Sequence, residues 1–340
     1  MKGCTITDEW NFRGIKTVIF ENQDLRIVIL SGKGTDIFEI VYKPLNLNLL
    51  FRNPWGPLSP ILFPLVSPHD EVFRDYTGGG WSDILPNAGR ACEFRGARFG
   101  LHDETPLLSW SHELTVSQGP NVSARFWTNL RKYPFFVEKM VSLNEQNEIA
   151  IRESVTNTSS EALPFSWLIH PTFSRDFFGR DSKLEVSAKK IRRMSEEDQN
   201  DEKWQDISAG TGKDKSPLDL SNLPFDATEL DETLVLTDLK EGRYCLTNSS
   251  LDLTFSLQWD LRIFPYLWYY RSINAKNYPY YGRSQFIALE PCTSARSGLA
   301  LQQKKGDARV LGARERITTE IVAKVTTGKQ KVRSARLKLR

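Results

Sequence analysis

Three short stretches of this chain carry an ionisable side chain in a setting that could do chemistry, two of them where an apolar run ends. In Phe286-Ile287-Ala288-Leu289-Glu290-Pro291 a strand-like segment meets a carboxylate and then a proline. Proline has no N–H for a ladder, so the strand is expected to end or bulge at Glu290. A carboxylate held against apolar surface loses its hydration, which disfavours the charged form and raises the pKa towards that of a general base. Phe165-Ser166-Trp167-Leu168-Ile169-His170-Pro171 repeats the pattern with an imidazole. Gly100-Leu101-His102-Asp103-Glu104 sets a second histidine between neighbours typical of a turn. Taken singly, a solvated edge glutamate and hydrogen-bonded structural histidines are the plain alternatives. Taken together, Glu290, His170 and His102 would supply a base, an acid and a second donor for moving protons. His69 and His112 read as structural. No nucleophilic serine or cysteine motif, phosphate loop or metal-ligand spacing competes, so neither a metal nor a cofactor is expected.

Strands must position these groups. Thr17-Val18-Ile19-Phe20, Leu25 to Leu30 and Asp36 to Tyr42 are short, rich in β-branched residues and divided by turn clusters. The same grammar runs through Ala124 to Thr128, Phe135 to Leu143, Ile149 to Asn157 and Leu251 to Trp259, with a hairpin turn expected at Asn144 to Asn147. Helical periodicity is absent over any long span, which points to an all-β sandwich or barrel. One domain is expected over residues 1–327. Within it, 187–223 reads as a charged surface insertion with a helical turn or two at Ser195 to Trp204. Residues 328–340 form a basic tail.

The formal charge of +3 is small and concentrated in that tail, so nucleic-acid binding is not indicated for the body. Cys4, Cys92, Cys245 and Cys292 lie far apart without zinc or disulfide spacing, the usage of a reducing compartment. Charged residues interrupt the N-terminus at signal-peptide length, and no run reaches the ~20 apolar residues that span a bilayer. The expectation is a cytoplasmic protein in which the triplets at Asn121, Asn157 and Asn248 are chance matches to a glycosylation signal.

Other stretches could handle a ligand. Tyr76 to Gly89 combines Gly78-Gly79-Gly80, which lets backbone approach a ligand, with Trp81, whose face suits sugar C–H surfaces. Asn46 to Pro68 has too many prolines for a helix or central strand and reads as a strap or pocket wall. Most aromatics of Phe264 to Tyr281 read as packing, with Trp268 expected near a ligand.

The order Gly-x-His, His-Pro-x-Phe and Leu-Glu-Pro resembles the aldose 1-epimerase, or galactose mutarotase-like, family. Phe264-Pro265-Tyr266-Leu267-Trp268 resembles a segment of its bacterial branches, and the 170 − 102 = 68 residues between the histidines resemble its spacing. The resemblance spans about Ile15 to Ile321 and implies a single β-supersandwich. It also implies exchange of the α and β anomers of a free sugar without a cofactor. Glu290 would take the proton of the C1 hydroxyl, His170 would give one to the ring oxygen, and His102 would hold or polarise that side. The family's asparagine–arginine pair is not recognisable. Asn87, Arg90, Arg95 and Arg98 are candidates, with Asn87 and Arg98 preferred. Its sugar-binding aspartate could be Asp231, or that residue is a solvated turn acid. His102-Asp103 replaces the His-Gly of many relatives. A carbohydrate-binding protein without catalysis, and an epimerase of phosphorylated sugars clamped by Arg90, Arg95, Arg98, Arg271 or Arg283, stay open. The acid–base reading requires Glu290 and His170 in one cleft, expected a sugar ring apart on its opposite sides. Oligomeric state is not legible.

Overall fold

The computed structural model describes residues 3–58, 69–194, 204–207 and 223–328. The end of the proline-rich strap, most of the 187–223 segment including its expected helical turn, and the basic tail beyond Gly328 lie outside the described residues.

Two large antiparallel sheets dominate, one of 13 strands and one of 8. The eight-stranded sheet is built around the hairpin Phe135–Asn144 and Glu148–Asn157, whose turn falls where the sequence places it. Residues of Phe135–Asn144 are buried at every second position, which the two-residue side-chain period requires of a strand with one face on a core. That core is a single cluster drawing Val137, Val141 and Ile151 from the eight-stranded sheet and Ile27, Ile40, Ile169 and Ile287 from the larger one.

The functional strip of the larger sheet runs in the order Asp36–Tyr42, Trp81–Ile84, Leu168–Ser174, Gln285–Cys292, Tyr266–Ile273, Leu230–Thr237 and Lys190–Arg193. Lys190–Arg193 pairs with Leu230–Thr237, so the segment read as an insertion begins as part of the sheet. Two short helices, Val72–Tyr76 and Leu299–Lys304, sit beside this strip. Among the described residues no helix is long and apolar enough to cross a membrane.

The strand bearing Glu290 neither ends nor bulges there. It continues to Cys292 with an unbroken ladder to Tyr266–Ile273, pairing Trp268 with Glu290 and Leu267 with Pro291. Pro291 is accommodated on the other side. There the ladder to Leu168–Ser174 pairs Leu168 with Cys292, resumes at Thr172 with Ala288, and has no pair between. Pro171 and Pro291 both fall in this gap, where no ladder needs their missing N–H groups. His170 and Glu290 face each other across it.

Candidate active site

A cavity of about 340 Å³ lies over this gap, at the small end of the ~300–1,000 Å³ usual for ligand pockets. Its floor follows from strand periodicity: His170 and Thr172, Phe286 and Glu290, and Trp268 and Tyr270 each lie an even number of residues apart and share one face. Phe73 and Arg74 of the short helix, Gly89 and Arg90, Leu101 and His102, and Tyr278 and Tyr280 supply the walls.

Glu290 is 2% exposed. Its Oε1 lies 3.5 Å from His170 Nε2, within ion-pair reach but long for a hydrogen bond. His170 Nδ1 is 3.1 Å from the Thr172 hydroxyl. The rings of His102 and His170 meet edge to face at 5.4 Å, and Phe73 covers both, 5.0 and 6.4 Å away. Burial pushes the Glu290 carboxyl well above the ordinary carboxylate range and lowers His170 to about 4. His102 is lowered well below the usual imidazole value by burial first, then by the nearby His170 and Arg74. Burial thus favours the neutral form of all three groups: the protonated carboxyl of Glu290 and the uncharged imidazoles of His170 and His102.

The expected separation of one sugar ring is corrected by this geometry. His170 Nε2 and Glu290 Oε1 stand side by side at 3.5 Å instead of on opposite sides of the cleft.

Trp268 and Asp231 line the cavity, with Trp268 Nε1 donating to the Ser294 carbonyl and Asp231 Oδ1 accepting from the Tyr270 hydroxyl, both at 2.8 Å. Asn87, Arg98 and Trp81 do not. Asn87 is fully buried and spent on structure: its amide donates to the Arg90 and Gly100 carbonyls and its oxygen accepts from the Leu299 N–H. Arg98 stands exposed on the hairpin of Cys92–Phe94 and Ala97–Phe99. Trp81 is packed into the core on the face of its strand away from Ser82, which does line the cavity. Of the other candidate arginines, only Arg90 reaches the lining. Arg271 pairs with Glu232, Arg283 stacks on Trp55, and Arg95 lies over Phe94. Arg74, Phe73 and Thr172 were missed by sequence reasoning. Thr172 could have been found from its even spacing to His170, whereas Arg74 and Phe73 sit on a five-residue helix without periodic signal. Among the described residues no group of three or more His, Cys, Asp or Glu is placed to hold a metal ion.

A family model described as Domain of unknown function (DUF4432) matches residues 12–325. The chain belongs to the DUF4432 family. No curated protein matches this DUF4432 chain in sequence. Its fold is that of galactose mutarotase-like proteins. An aldose 1-epimerase candidate from Klebsiella pneumoniae superposes with a TM-score of 0.70 at 14% identity, over 94% of this chain and 82% of that one. A galactose mutarotase-like protein from Clostridium acetobutylicum gives 0.65 at 13%, over 96% and 99%. The Slr1438 protein of Synechocystis gives 0.66 at 17%, over 92% and 96%.

Proposed function

We propose that this DUF4432 protein is an aldose 1-epimerase, interconverting the α and β anomers of a free aldose by acid–base opening and reclosure of the ring. One observation carries the reading: a carboxyl and an imidazole, 3.5 Å apart, face one cavity beside a second imidazole. The pair shares one mobile proton. In its ionic form Glu290 takes the proton of the C1 hydroxyl while His170 gives its own to the ring oxygen. The C1–O5 bond breaks, C1 becomes a carbonyl carbon, and no proton is exchanged with solvent. Opening leaves Glu290 protonated and His170 neutral, the states that burial favours. Rotation about C1–C2 and the reverse transfers close the ring on the other face. Such a pair contributes on the order of 10²–10⁴ per group, enough to accelerate a reaction that water already performs slowly. Trp268 and Phe73 supply apolar surface for the sugar's C–H faces.

Magnetisation exchange between the anomeric protons of a panel of aldoses tests this. At least one sugar should exchange faster with enzyme than without; no acceleration across neutral and phosphorylated aldoses would end the proposal. The panel includes hexose phosphates because Arg74 and Arg90 both line the cavity, which favours an anionic sugar as the second reading.

A further inference from the structure

The two histidines of the site are held in different ways. The main-chain N–H of Gly89 donates to His102 Nδ1 at 3.0 Å, and the His102 main-chain N–H returns a bond to the Gly89 carbonyl at 2.9 Å. A main-chain N–H can only donate, so Nδ1 must offer a lone pair and a neutral ring carries its hydrogen on Nε2. No protein partner takes Nε2 among the described residues. We propose that Gly89 is a positioning residue whose N–H locks His102 in the neutral Nε2–H tautomer, making His102 a fixed donor to an acceptor oxygen of the ligand and not a proton carrier.

The surroundings support the lock from several sides. His102 itself adopts φ 50°, and Gly89 has φ +94° with its Cα against Ser297, where a Cβ would lie 2.1 Å from Oγ. The turn holding Gly89 is pinned at each neighbour. Asn87 N–H donates to Asp103, Ala88 N–H to Ser166 Oγ at 2.8 Å, and Arg90 N–H to Ser297 Oγ at 2.9 Å. The buried Asn87 clasps this turn to Gly100 at 2.8 Å. Protonating Nδ1 would set two N–H groups head to head and strand the Gly89 donor. Among the described residues no carboxylate bonds to the His102 ring to reward that. Asp103 turns to Gly100 N–H and Lys132, and Glu104 to the N–H groups of Arg131 and Lys132. Arg74 from the short helix and His170 from the sheet instead oppose a charge on the ring. His170 differs, because its Nε2 faces Glu290. The pair moves the proton, and His102 marks where an ether, hydroxyl or carbonyl oxygen must sit.

The kinetic part of this inference rests on the proposed epimerase reading; the tautomer does not. The chain has four histidines, so ¹⁵N-histidine NMR of the intact protein, with His102→Gln for assignment, resolves them. The expected spectrum shows His102 with hydrogen on Nε2 alone, unchanged from pH 5 to pH 8. Hydrogen on Nδ1, or an imidazolium forming in that range, overturns the proposal. In folded Gly89→Ala, whose Cβ displaces the N–H, His102 should become a tautomer mixture while His170 signals hold; an unchanged His102 also overturns it. Should Gly89→Ala fail to fold, the wild-type spectrum still decides. If anomer exchange exists, His102→Leu should lose about 10² in kcat, and His102→Gln, which keeps a donor, should recover most of it. Absence of exchange with every aldose, with the tautomer as expected, would reject the epimerase and leave the lock standing.

Discussion

Replacing Glu290 by Gln tests chemistry and electrostatics in one variant, because the amide matches the carboxyl in size but can neither take nor lose the proton. Loss of a positioned base lowers kcat by about 10²–10⁴, or about 3–5 kcal/mol of barrier. The stability effect has the opposite sign. Burial raises the folded pKa of Glu290 above its unfolded value. Below about pH 4 both states hold the proton, and the carboxyl adds no pH dependence. As pH rises the unfolded chain releases its proton while the folded protein keeps it. The wild type therefore loses up to about 1.4 kcal/mol of stability per pH unit until the folded pKa is passed. Glutamine escapes this loss, so the stability of the variant relative to wild type should climb as pH rises above about 4 and level off once the raised folded pKa is passed. Polarimetry of a freshly dissolved aldose measures the first effect, and urea unfolding at pH 4, 5.5 and 7 the second. Activity within threefold of wild type would refute the assignment of the base. A stability difference that stays flat with pH would refute the buried, protonated carboxyl.

His170→Asn should also abolish anomer exchange, with an acid-side signature. The folded imidazole is lowered to about 4, so the wild type loses roughly 3 kcal/mol between pH 6.5 and pH 4 as the unfolded chain takes up a proton that the folded one refuses. Urea midpoints of the variant should be flatter over that window. Asp83→Asn removes the carboxylate that Lys139 touches at 2.5 Å between the two sheets, leaving Glu153 and Asp36 as its remaining buried carboxylates. The expected cost is at most about 3–5 kcal/mol, read from the urea midpoint, and Asp83→Leu with Lys139→Met should recover much of it. Asp231→Asn at the cavity rim should raise KM about tenfold, from roughly 1–2 kcal/mol of lost hydrogen bonding, with kcat within threefold by initial-rate polarimetry.

The strands were legible because side-chain alternation is a local property: Asp36–Tyr42, Phe135–Asn144 and Glu148–Asn157 sit where the pattern puts them. Glu290, His170 and His102 were legible too, since an ionisable group beside a proline or inside a turn breaks that pattern visibly. Register was not. The sequence places a proline after each of His170 and Glu290, but only the ladder between segments 290 − 170 = 120 residues apart decides that both prolines share one gap. Tertiary contacts likewise turned Asn87 into a clasp, left Arg98 on an exposed hairpin, sent Trp81 to the core face, and brought Arg74 in from a helix too short to announce itself. The chain alone thus marked two candidate ionisable groups at the ends of apolar runs and a third in a turn. Their meeting was decided by long-range hydrogen-bonded pairing and by which face each strand turned to the core, and burial in the resulting cavity raised the Glu290 carboxyl and lowered the two imidazoles.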